Sequence, residues 1–223
     1  SMPPREVVIV DKDAALVKQH FRLHHLKYRH TSPVIIPAGY TRDHVDGTNK
    51  VSLYQKDMIQ DAYQHVAATS NVVLCEGTGH CAVGSIVEAS NAQVASWLDA
   101  RMVLVANGGL GSTFDELDLN RAFCLSHGVE IAGVVVNKVK AEKYEQTKHY
   151  LTKVSKDRWN VPLLGCVPDR PFLGCPALSD LEKLFPGSRL ISGKQHRLRH
   201  YRVQDLNLVA TSLEVFLQAL RRN

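Results

Sequence analysis

The chain holds 223 residues, with 27 Lys and Arg against 22 Asp and Glu, for a net charge of +5. Hydrophobic residues at 44% and charged residues at 22% match an ordinary globular protein and exclude disorder for the bulk, while the lack of a G-X-Y period and of sustained heptads excludes a collagen-like repeat and a coiled coil. No apolar run approaches the roughly 20 residues of a membrane span, and the mild positive charge suits a small anion as well as a nucleic acid.

The chain alternates short apolar runs with longer segments of helical period. Predicted strands are Val7–Val10, Val34–Ile36, Val72–Cys75, Met102–Ala106, Val134–Val136 and Leu163–Cys166. Several are unbroken and rich in Val, as in strands covered on both faces. Predicted helices are Asp13–Lys27, Val51–Thr69, Ile86–Leu98, Ser112–His127, Ala141–Trp159 and Leu206–Leu220. Ser112 is the expected cap of its helix, with Asp115 and Glu116 in the first turn, and His127-Gly128 is the expected stop. This alternation predicts an α/β fold with a mainly parallel sheet flanked by helices. From Pro168 onward Pro and Gly break the pattern. A domain over residues 1–193 is expected, followed by a basic segment and C-terminal helix over 194–223, read as an appendage or as the start of a truncated domain. The opening Ser1-Met2 reads as the remnant of an expression tag.

Cys75, Cys81, Cys124, Cys166 and Cys175 show no C-x-x-C spacing, and no secretory or transit segment is visible. Free thiols in an intracellular, cytoplasmic protein are expected. The early histidines His20, His24, His25, His30 and His44 read as a solvated helix face, because Arg22, Lys27 and Arg29 accompany them.

Open parallel sheets bind ligands beyond the carboxyl ends of their strands. Four consecutive predicted strands end in polar or glycine-rich loops. After Val72–Cys75 come Glu76, Gly77, Thr78, Gly79 and His80. A carboxylate at Glu76 can hold Mg²⁺ that bridges phosphate oxygens, or it can simply cap a turn. Gly77 and Gly79 let the backbone approach a ligand, and Thr78 adds a hydroxyl. His80 is a candidate phosphate contact or general base, against an ordinary loop histidine. After Met102–Ala106, Gly108 and Gly109 precede a helix N-terminus, which favours anions, although such a turn needs glycine in any case. After Val134–Val136, Asn137 can donate and accept, as needed to read a purine edge. After Leu163–Cys166 comes Pro168. Arg42, following Val34–Ile36, is a candidate partner for a substrate carboxylate or phosphate, or for a surface acid. A dinucleotide fingerprint is disfavoured. Gly77, Gly79 and Gly84 have the wrong spacing, and the next strand ends in Asn107 rather than an acid.

The run Val72-Val73-Leu74-Cys75-Glu76-Gly77-Thr78-Gly79 resembles the second carboxylate motif of the dethiobiotin synthetase-like P-loop proteins, closest to the N-terminal domain of long phosphotransacetylases and its stand-alone relatives. Gly84-Ser85, Ser90-Asn91-Ala92, Gly108-Gly109-Leu110-Gly111, Asp115-Glu116-Leu117, Asn137-Lys138-Val139 and Pro162-Leu163-Leu164-Gly165 fit the same resemblance, which covers about Asp11 to Gly193. It implies a P-loop NTPase-like fold, Mg²⁺ and ATP as cofactors, a metal-associated, catalytic role for Glu76, and adenine contact by Asn137 with the Pro168 loop nearby.

One element of the resemblance is missing. No G-x-x-x-x-G-K-[ST] occurs in the sequence, since Gly193-Lys194 is followed by Gln195. The P-loop strand and first helix are therefore expected to be lacking. Two functions follow. The first is a non-catalytic or regulatory domain with residual nucleotide or anion binding. The second is a fragment of an ATP-dependent ligase of the dethiobiotin synthetase or cobyrinic acid a,c-diamide synthase type, with its P-loop upstream. A sheet without a central strand also predicts a homo-oligomer. Nucleic acid is a weaker partner, because the basic Arg189–Arg202 segment lacks interleaved aromatics apart from Tyr201.

Overall fold

The computed structural model describes residues 10–184, 187, 189, 193–201 and 212–220. The chain divides into two compact units, residues 1–168 and 169–223. In the first, helices α1 (Lys12–His20), α2 (Tyr28–Thr31), α3 (Tyr40–Val45), α4 (Gln55–Ala67) and α5 (Asn91–Trp97) come before any strand among the described residues. Then β1 (Met102–Asn107), α6 (Gly111–Ser126), β2 (Ile131–Val139), α7 (Tyr144–Trp159) and β3 (Leu163–Pro168) alternate.

The strands form a parallel sheet in the order β1-β2-β3. Helix α6 packs on β1 and α7 on β3. Central strand β2 is the most buried, as a run of β-branched residues between two neighbours should be. Ile131, Val134, Val136 and Val139 meet Leu104 and Ala106 of β1, Leu117 and Cys124 of α6, and Leu151 of α7. Each fully buried Val or Leu contributes about 1.5–3 kcal/mol. The opposite face is open: Val103 is 43% exposed, Val105 65% and Leu164 56%. Among the described residues, β1 has no partner on its outer edge. Leu164 lies across Gly133, where a Cβ would collide with it.

The α/β class agrees with the sequence reading, and so do all three strands of the sheet. Two predicted strands do not form. Val34–Ile36 lies between Pro33 and Pro37, which cannot donate to a ladder, and stays irregular. Val72–Cys75 has no strand pairing, so its backbone has no ladder to join, and Val72 and Leu74 stand 83% and 95% exposed. The first helix stops at His20 because Phe21 caps it and Arg22 takes a left-handed φ of 55°. The segments predicted as Val51–Thr69 and Ile86–Leu98 each open with a 3₁₀ turn, Lys50–Tyr54 and Ser85–Val87. Val7–Ile9 and the 206–211 part of the last predicted helix lie outside the described residues.

Buried Gln55 fastens the helical part together. It accepts from the Tyr40 hydroxyl at 3.2 Å and donates to the Val87 carbonyl at 2.5 Å. The Gln60 amide reaches the Trp97 carbonyl at 2.9 Å and ties α4 to α5.

The second unit contains α8 (Leu178–Leu184), α9 (Lys194–Arg197) and α10 (Leu213–Leu220). An antiparallel bridge joins Ala177 to His200, and Arg197 pairs with Glu182 at 2.5 Å. Among the described residues no helix is long and apolar enough to cross a membrane.

Candidate functional site

The loop after Val72–Cys75 is held from two sides. Ser90 caps α5 by accepting the Gln93 N–H at 3.1 Å, which places Asn91 in the first turn. The Asn91 amide donates to the carbonyls of Thr78 and His80, both at 2.9 Å. Gly77 is glycine because a Cβ there would lie 2.8 Å from the Asn91 side chain. Gly79 turns the chain with a φ of 67°. The Nδ1 atom of His80 accepts the Ala82 N–H at 3.3 Å, and the Cys81 N–H donates to Asn120 of α6 at 2.9 Å. Glu76 is exposed, and its carboxylate makes no hydrogen bond or ion pair among the described residues.

The carboxyl ends of β1 and β2 are pressed together. Asn107 stands opposite Asn137 in register. A Cβ on Gly108 would lie 2.6 Å from both the Lys138 carbonyl oxygen and the Val139 Cα. Lys138 itself takes a left-handed φ of 55°, and the β2–β3 register shifts between Val136 and Val139. The Asn137 side-chain oxygen Oδ1 accepts the Lys138 N–H at 2.9 Å, and its side-chain nitrogen Nδ2 has no partner among the described residues. Pro168 pairs with Val139.

Helix α6 begins beside this edge. Thr113 donates its hydroxyl proton to the Asn107 carbonyl at 2.9 Å, and Gly109 leaves the room this needs. Ser112 is not the cap. The helix starts one residue earlier, after Leu110, with no side-chain cap. The first-turn N–H groups are therefore left without a capping side chain. Asp115 and Glu116 fall past the first turn, which holds no acid.

Arg42 sits in α3 rather than in a loop. Its side chain is 78% exposed and lies 3.9 Å from Asp43. With Gly39, Thr41, Val45, Asp46 and Ile86 it borders a shallow cavity of about 540 Å³. Thus Gly77, Thr78, Gly79 and His80 share one anchored loop, while Gly108, Gly109, Asn137 and Pro168 share the sheet edge. No hydrogen bond or ion pair joins Glu76 or Arg42 to either group among the described residues. Nor do any three His, Cys, Asp or Glu side chains group as metal ligands among them.

Sequence reasoning gave no role to Asn91, Asn120, Thr113 or Lys138. Asn91 carried a signal, following a Ser-cap pattern just after a glycine-rich loop. The left-handed turn at Lys138 carried none.

A parallel sheet with helices between its strands, and polar turns at the carboxyl ends of those strands, defines an α/β protein. Residues 5–177 match the AAA_26 family, described as an AAA domain, and the chain belongs to that family. It is similar to the ATP-dependent dethiobiotin synthetase BioD of Bacillus cereus (strain G9842), with 29% identity over 113 residues. That match covers 49% of this chain and 45% of the relative, so the chain spans less than half the relative's length. The resemblance read from the sequence stands at this level: this is a dethiobiotin synthetase-like P-loop domain.

Proposed function

We propose that the chain is a non-catalytic, regulatory domain that retains binding of ATP or a related anion at the carboxyl edge of its sheet. The observation that carries this reading is the sealed edge itself. Gly108 packed on Lys138 fixes Asn137 beside the uncapped start of α6. In this reading the free Asn137 amide nitrogen donates to a base, and the Gly108–Gly109 turn with the α6 N–H groups meets phosphate oxygens.

Glu76 suits Mg²⁺ because its carboxylate is exposed and unpaired. A lone carboxylate is enough when nucleotide phosphates and waters complete the shell, as is usual for this ion. Bound Mg²⁺ would supply charge neutralisation between phosphates. The glycines and Thr78 bring the backbone and a hydroxyl to the same loop, with His80 as a phosphate contact. Arg42, at the cavity that Ile86 also lines, is a candidate for a carboxylate-bearing second ligand.

The non-catalytic part of the reading rests on the sequence, which contains no Gly-Lys-Ser or Gly-Lys-Thr. Phosphoryl chemistry in such folds leans on that clamp. A second reading, a fragment of an ATP-dependent ligase, is favoured by the similarity to the Bacillus cereus enzyme. We also infer self-association. The β1 edge, unpaired among the described residues, and the exposed Val103 and Val105 support a second copy as the covering partner.

The deciding experiment is calorimetric titration with ATP, with and without Mg²⁺, on the wild-type chain and on Glu76→Ala and Asn137→Ala. Micromolar binding is expected, lost in part in each variant, with Glu76→Ala removing only the Mg²⁺-dependent increment. No heat up to millimolar ATP overturns the binding site. Hydrolysis or ligation by this chain overturns the regulatory reading in favour of the ligase.

A further inference from the structure

We infer that Cys81 and Cys124 form a peroxide-sensitive dithiol whose oxidation to a disulfide locks the Glu76–His80 loop onto α6. The two residues are brought together by a backbone clamp rather than by chance. The Cys81 N–H donates to Asn120 at 2.9 Å, and Cys124 lies one helical turn beyond Asn120 on the same face of α6. Both side chains belong to the central apolar cluster, at 7% and 0% exposure. There the two thiols are close enough to interact. None of the other three thiols has a thiol partner among the described residues.

The pair is chemically asymmetric. The Cys124 thiol beside it holds the Cys81 thiol below its ordinary range, while burial opposes that shift. The same contact, with burial, pushes the Cys124 thiol far up. Cys81, the less buried of the two and the one that adjoins the exposed loop, is the sulfur that attacks as its thiolate. Buried thiols are normally inert, but the approach to Cys81 is short: residues 74–80, which lead directly to it, are all exposed. Local opening of that loop admits a molecule as small as hydrogen peroxide.

The chemistry balances in two steps. The Cys81 thiolate attacks one peroxide oxygen, the O–O bond breaks, and the departing hydroxide takes a proton to become water. The Cys124 sulfur then displaces hydroxide from the Cys81 sulfenic acid, and its proton joins that hydroxide as a second water. Two thiols are oxidised, one peroxide is reduced, and a thiol reductant reverses the change.

The test is a peroxide titration of the fully reduced, folded chain, followed by peptide mapping under non-reducing conditions. The expected first product is a Cys81–Cys124 cross-linked peptide pair, with the mass loss of two hydrogen atoms, recovered by dithiothreitol. Cys75→Ser should leave it intact. In Cys124→Ala, dimedone should instead trap sulfenic acid at Cys81. If Cys124→Ala does not fold, the wild-type map still decides. Oxidation at Cys75, Cys166 or Cys175 while Cys81 and Cys124 remain free to alkylate after unfolding overturns the proposal.

Discussion

At the scale of single residues, contact geometry separates two glycines that the sequence reads alike. Gly108 and Gly111 stand in one Gly-Gly-Leu-Gly run. A Cβ on Gly108 would meet backbone of β2 at 2.6 Å, whereas one on Gly111 meets nothing within 4 Å. Backbone cannot swing aside as a side chain can, so Gly108→Ala is expected to cost about 1–3 kcal/mol in urea unfolding. Gly111→Ala should leave stability unchanged or raise it by up to about 1 kcal/mol, because Ala restricts the unfolded chain. Equal losses in the two variants would refute the sealed edge. The reason for Gly108 was hidden in the sequence because it lies in a second strand, with its partner Lys138 in a left-handed turn. The chemical character of Glu76, Asn137 and the glycines was legible, since residue type and position after an apolar run are local facts. That Asn91 braces the first loop was not, because such a bond depends on how α5 docks.

At the scale of elements, the early histidines do not form one solvated face. They are spread over α1, α2, α3 and the turns between, and His30 of α2 stacks on His65 of α4 with ring centroids 3.8 Å apart. Arg29 donates to Nε2 of His30 at 3.2 Å, so the neutral ring carries its proton on Nδ1, which is buried without a partner. Burial is the main cause that lowers the His30 pKa below its ordinary 6.5, followed by His65, Arg29 and Lys27, while Asp61 opposes them. The sign follows from linkage. Above 6.5 both folded and unfolded chains hold a neutral ring, and stability is undiminished. As pH falls through 6.5 the unfolded chain takes the proton first, and stability drops until the folded value is passed. Thermal melting followed from about pH 8 down to about pH 5 should show this loss, and His30→Gln should flatten it. An identical slope in the variant removes His30 as the cause. The three paired strands were legible from their apolar runs. The failed ones were not, because a strand is fixed by its neighbour as much as by its own residues.

At the scale of the whole molecule, the sheet leaves apolar surface open where parallel sheets are normally covered. If a second copy covers it, sedimentation velocity should report a dimer or larger species at micromolar concentration, and Val105→Lys should shift it toward monomer. A wild-type monomer across that range would sink the proposal. The central cluster draws all its members from residues 81 to 161. Of α1 to α4, only Tyr40, Gln55 and Ala62 are buried. The protein should therefore breathe in tiers. In deuterated water the amides of β2 are expected to exchange only when the whole sheet opens, while those of α1 to α3 exchange through local fraying. The loop at Glu76 sits at the seam between the fast tier and the slow one.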